Sequence, residues 1–127
     1  TVDTNGTQGH RILMMLTSDF RSSNGAVMQN VAGTNAAPLS WSCGCAPTAT
    51  SYFGYHAGDD TLQGGSTRFS APDTYAGFST STPEEVSYIS QPVVGDTTDI
   101  VFRLMTRNLQ SAGQYEARVM YLSIPLF

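Results

Sequence analysis

The chain has 127 residues and a formal charge of −4, with 6 basic against 10 acidic side chains, 13% charged residues and 40% hydrophobic. That length suits one domain spanning 1–127, and the acidic balance argues against a nucleic-acid binder, which needs a basic face. All 6 basic residues are arginine, while Ser and Thr together number 29 and Gly 12, a composition that favours strands and turns over helical bundles.

No apolar run approaches the roughly 20 residues of a membrane-spanning helix. Nothing at Thr1 resembles a signal peptide, so the chain starts as a mature or trimmed protein would. The low-charge, lysine-free, Ser/Thr-rich surface reads as extracellular, a compartment that permits disulfides.

The first strong element covers residues 11–17, where Ile12, Met14 and Leu16 share one face and Leu13 and Met15 the other. A strand apolar on both faces is expected at the centre of a sheet, covered on both sides. Residues 17 to 51 are mostly Ser, Asn, Gly, Ala and Thr, anchored by Val27, Val31, Leu39 and Trp41. A structureless loop of that length does not suit a compact domain, so short strands are expected near 26–30 and 39–42. Cys43-Gly44-Cys45 follows, a spacing that leaves open a strained direct disulfide, two thiols, or bridges between chains.

Thr82-Pro83-Glu84-Glu85 has a capping-box pattern that allows one helical turn, with a strand over 86–89 after it. In the segment 99–104, Ile100, Phe102 and Leu104 alternate inward against Asp99, Val101 and Arg103. The last strand starts at Tyr115 with alternation, then becomes apolar on both faces through Val119, Tyr121, Leu122, Ile124 and Phe127; it is expected to be half exposed at first and covered later. Between these two, Leu109 to Tyr115, with Gly113 free to take positive φ, resembles the tyrosine corner of immunoglobulin-like sandwiches, a structural arch between two sheets.

Three segments together resemble bacterial cell-surface and fibre domains, pilin-like, with immunoglobulin-like sandwiches. They are Thr1-Val2-Asp3-Thr4-Asn5 with Gly9-His10-Arg11-Ile12, the aromatic strand Tyr52-Phe53-Gly54-Tyr55, and a C-terminal hairpin from Gly95-Asp96-Thr97-Thr98 through Tyr115 to Tyr121 and Pro125. The resemblance implies an all-β, immunoglobulin-like antiparallel β-sandwich of an exported protein. It also implies a sheet one strand short, completed by another chain, because such domains carry a strand ahead of the segment that opens this one. Without lysine, the Lys–Asn cross-links of some surface pilins are impossible, and no sortase-type motif is present.

Candidate chemistry is sparse. Cys43, Cys45, His56 and Asp59-Asp60 offer an incomplete metal ligand set, so no metal or cofactor is expected. A cysteine–histidine pair has no family signature around it, and adjacent carboxylates at 59–60 and 84–85 point to opposite faces on a strand, so no catalytic residue and no enzyme is expected. The rings of Trp41, Tyr52, Phe53, Tyr55, Phe69, Tyr75 and Phe78 suit core packing better than a glycan platform. Asn5-Gly6-Thr7 fits a glycosylation acceptor.

Association remains. An incomplete sheet exposes unpaired N–H and C=O groups that a strand from another chain satisfies. The expectation is a structural subunit of an extracellular filament or surface layer whose partners are copies of itself, with no nucleic acid and no membrane span. The acceptor edge is expected at 12–16 or at 119–127. Residues 1–8 bring only Val2 to fill a pocket and make an incomplete donor. The alternative is a monomeric adhesion or carbohydrate-binding module using the aromatics.

Overall fold

The computed structural model describes residues 1–41, 51–59, 61–62 and 66–127. Cys43, Cys45 and Asp60, singled out above, lie outside the described residues. The strands run β1 (Val2–Thr4), β2 (His10–Leu16), β3 (Arg21–Ser22), β4 (Gln29–Asn30), β5 (Leu39–Ser40), β6 (Tyr52–Ala57) and β7 (Thr61–Leu62). They continue as β8 (Ser66–Thr67), β9 (Thr74–Tyr75), β10 (Glu84–Ile89), β11 (Val93–Asp96), β12 (Ile100–Met105), β13 (Tyr115–Glu116) and β14 (Val119–Pro125). No helix among the described residues is long and apolar enough to cross a membrane.

Two three-stranded sheets carry the architecture. One is antiparallel in the order β10-β2-β14, and the other runs β12-β6-β4, with β4 joining β6 in parallel. Beyond β4 the same side of β6 is closed by Ala76, which exchanges two 2.9 Å backbone hydrogen bonds with Tyr55. Period-two alternation sends Met14 and Leu16 of β2 and Val86 of β10 against Phe53, Tyr55 and Ala57 of β6, and these form one buried cluster with Phe78 and Phe69. The fold is therefore an all-β sandwich. Pairs β1–β11, β3–β13, β5–β9 and β7–β8 decorate it.

Several expectations are corrected. β2 is central, as its two apolar faces imply, so 12–16 has partners on both sides and is no acceptor edge. On its Met14 face Met14 and Leu16 are buried and Ile12 is half-buried; Leu13 and Met15 on the other face are half-buried. The capping-box segment makes no helical turn, because Glu84 and Glu85 enter the ladder opposite Met14 and Leu13. The hydroxyl of Ser79 instead accepts from the N–H groups of Ser81 and Thr82 and forms the turn ahead of β10. Residues 115–125 are not one strand: Tyr115 and Glu116 pair with β3, and only from Val119 does the chain pair with β2. Nor do β12 and β14 form a hairpin, since each lies in a different sheet. The polar stretch 17–51 contributes the two-residue strands β4 and β5 near the expected positions.

Candidate functional site

The feature that distinguishes this sandwich is one open side. Among the described residues, no strand pairs with the outer edge of β12 or of β14. Hydrogen-bond parity identifies the groups left over. The Gly58 N–H donates to Asp99 O at 2.7 Å, which puts residues 99, 101, 103 and 105 in the bonded rungs with β6 and turns the backbone of Ile100, Phe102 and Leu104 outward. On the facing sheet, the Thr17 N–H donates to Arg118 O at 2.9 Å, so the backbone of Val119, Tyr121 and Ser123 faces outward in the same way.

The side chains of these same residues point between the sheets, because their rung partners are the core residues. Phe102 stands opposite Tyr55 and Leu104 opposite Phe53; Tyr121 stands opposite Met14 and Val119 opposite Leu16. Their inward direction agrees with the alternation in sequence. Their burial does not: Phe102 is 54% exposed, Leu104 49% and Tyr121 50%. Among the described residues no further strand covers them, though Phe78 packs on Phe102, and a groove runs along the gap. One half, of about 490 Å³, has Leu16, Phe53, Phe78, Leu104 and Val119 in its walls. The other, of about 410 Å³, is walled by Ile12, Val86, Ile100 and Tyr121, with Ser87 and Thr98 supplying its polar margin. Burial pushes the Tyr121 hydroxyl pKa above its ordinary value.

β14 is thus uncovered where cover was expected. Met120 and Leu122, on its outer face, are also exposed, Ile124 is half-buried and Phe127 is exposed. Of the residues expected at an assembly edge, the structure brings Val119 and Tyr121 into the groove with Ile12 at its floor, and buries Met14 and Leu16 in the core. Sequence reasoning missed β12 as the second edge. Its clean alternation reads equally well for a covered strand, and exposure of the inward row depends on a neighbour that the sequence of β12 does not encode.

The arch between β12 and β13 carries the tyrosine corner. The Tyr115 hydroxyl donates to Ser111 O at 2.8 Å and accepts from the Gln110 amide. Gly113 has φ 157° and Leu109 is exposed. The Tyr115 ring packs edge-on against Phe20, which packs in turn against Phe53, so the corner ties the end of the groove to the core.

The remaining sequence candidates do not converge. His56 lies on β6 with Nδ1 2.8 Å from Thr74 O and its ring edge-on to Phe69. The Asp59 carboxylate accepts from the Tyr88 N–H at 2.7 Å. Among the described residues, no group of three His, Cys, Asp or Glu side chains could hold a metal ion. Of the seven rings weighed as a glycan platform, six are buried, and Trp41 lies under the Arg103 guanidinium at 4.6 Å. Asn5 is exposed.

A buried polar network closes the opposite side. Asn35 donates to the Tyr55 hydroxyl at 2.9 Å and to Glu85 O at 2.8 Å and accepts from Arg68, while Arg68 also lies 3.6 Å from Glu85. Burial raises the pKa of both the Tyr55 hydroxyl and the Glu84 carboxyl, which meet at 3.4 Å. The network joins β6 to β10 and has the character of a structural lock. Comparison with family models, curated proteins and solved structures finds no match to this chain.

Proposed function

We propose that this chain is a structural subunit of an extracellular filament or surface layer, and that copies assemble by pairing a strand of one subunit along the open side of the next. The observation that carries this reading is the coincidence of two unpaired strand edges with an apolar groove between them. Exposed edges with apolar side chains template pairing with another chain, and soluble monomers blunt them with lysine, proline or bulges. Of such devices β12 carries one charge, Arg103, which is paired with Asp73, β14 has Pro125 at its end, and the chain has no lysine at all. A donated strand would satisfy the outward N–H and C=O groups of residues 100, 102 and 104 or of 119, 121 and 123, and place alternate side chains in the groove. Head-to-tail donation that does not close produces a filament.

The tyrosine corner and the two facing sheets support an immunoglobulin-like version of the sandwich, and the low-charge, lysine-free composition supports export. The glycan-binding alternative has less support, since the rings it would use are core residues.

Negative-stain electron microscopy and a sizing column, with and without reductant, test the reading. Filaments or large oligomers that persist in reductant are expected, and Leu104→Lys in β12 combined with Tyr121→Lys in β14 should abolish them while leaving a folded monomer. Assembly lost on reduction would transfer the role to Cys43 and Cys45. A wild-type chain that stays monomeric would overturn the reading.

A further inference from the structure

We propose that β1 is a plug lying in cis across one end of the groove, and that it must swing out before a strand can occupy the groove's full length. The inference rests on the strand-accepting reading above and adds its regulation. Val2 and Thr4 face inward and are half-buried while Asp3 faces water. Thr1 and Val2 wall the 410 Å³ half of the groove together with Ile12, Ile100 and Tyr121. An incoming strand that follows β14 as far as Ser123 meets them.

The arm is held lightly and its root firmly. Among the described residues β1 pairs only with β11, over three residues and with a register shift between Val2 and Thr4. Its added bonds are exposed: Asp3 accepts from the Gly95 N–H at 2.6 Å, and the Thr1 and Thr97 hydroxyls lie 3.4 Å apart. Just after it, the chain is clamped. The Gly9 N–H donates to Gly6 O at 2.9 Å, and Gln8 and Leu126 tie this turn to the end of β14. A Cβ at Gly6 would fall 2.5 Å from Leu126 O, and Gly9, at φ 80°, has Ile89 O in the same position at 1.9 Å, so both turn positions are restricted to glycine. On β11, the Asp96 carboxylate lies 3.3 Å from Nε2 of the buried His10. The arm can therefore leave by pivoting near Asn5 without disturbing β2 or the core, and β11 gives up its partner strand as it goes.

Thr4→Cys with Val93→Cys, in a Cys43→Ser/Cys45→Ser background, tests the plug. These two residues are direct partners across the antiparallel pair, at a separation a disulfide can bridge. Amide exchange at Gly95 reads opening in the monomer; light scattering reads assembly; circular dichroism checks the fold in both redox forms. Removing the open state should slow assembly of the oxidised form by about tenfold or more relative to the same protein reduced, with Gly95 exchange slowed in parallel. Val2→Asp, which places a carboxylate against the apolar wall, should accelerate both, and it carries the test if the cysteine variant does not fold. Slower exchange with unchanged assembly would overturn the plug and leave strand acceptance standing. Absence of assembly in every form would overturn the strand-accepting reading itself.

Discussion

Two rungs of the sandwich show its two sides at once. In one, Tyr55 is fully buried while its partner Phe102 is half exposed; in the other, Met14 is buried while its partner Tyr121 is half exposed. All four side chains point between the sheets, so direction does not separate them. Position across the sheet does. The centre strands β2 and β6 have neighbours on both flanks. On the far flank, Asn30 locks onto Phe78 with a donated bond at 2.8 Å and an accepted one at 2.9 Å, and the Asn35 network ties β6 to β10. On the near flank, among the described residues, no strand pairs beyond β12 or β14. A three-stranded sheet is wide enough to seal its middle but leaves the inward row of its last strand to whatever pairs next. The open side is thus a consequence of strand number, with packing in the centre intact.

Truncation across a rung breaks that comparison most directly. Met14→Ala removes a buried side chain from the common core and should cost about 2–5 kcal/mol. Tyr121→Ala, on the same rung, should cost within about 1 kcal/mol in the monomer, because half of its surface is already in water. Urea unfolding of both variants measures the difference. Equal costs would mean that the open side is filled in solution. Next in size is Asn35→Ala, which leaves Glu85 O and the Arg68 guanidinium short of a partner and should cost about 1–3 kcal/mol in the same urea unfolding. A negligible effect would remove the polar lock from the account of why one flank stays shut.

Much of this contrast was legible in the residues, though unevenly. β2 announces itself as a central strand because apolar side chains occupy both its faces, and the Tyr115 corner follows from a loop, a glycine and a tyrosine in the right order. The short strands between 17 and 51 were weakly written, since two-residue pairings leave no periodicity. The Glu84-Glu85 segment misleads: its capping pattern is a local preference, and ladder pairing with β2 overrides it. The groove was half legible. β14 carries too many apolar residues for a surface strand, which marks it as an edge in need of a partner. β12 shows ordinary alternation, and its exposure arises only from what the opposite sheet does not extend to cover.

The smallest expected effect concerns the closed flank alone and has a definite sign. Burial raises the Glu84 carboxyl pKa above its ordinary value, outweighing the Tyr55 hydrogen bond and the nearby Arg68 charge that favour ionisation. The folded chain therefore holds this proton to higher pH than the unfolded chain does. Its contribution to stability is full below the ordinary Glu pKa and is lost as pH rises through the elevated value. Glu84→Gln keeps an acceptor for the Tyr55 hydroxyl and removes the ionisation, so the variant should melt higher than wild type near neutral pH and lose its advantage in acid. Glu116→Gln, at an exposed carboxylate beside Arg118, serves as the control and should shift neither end. Thermal unfolding at about pH 4 and about pH 7, on either side of the carboxylate range, decides it: a Gln variant destabilised at neutral pH would mean that the carboxylate is a favourable member of the network, and that the closed flank is held by charge as well as by packing.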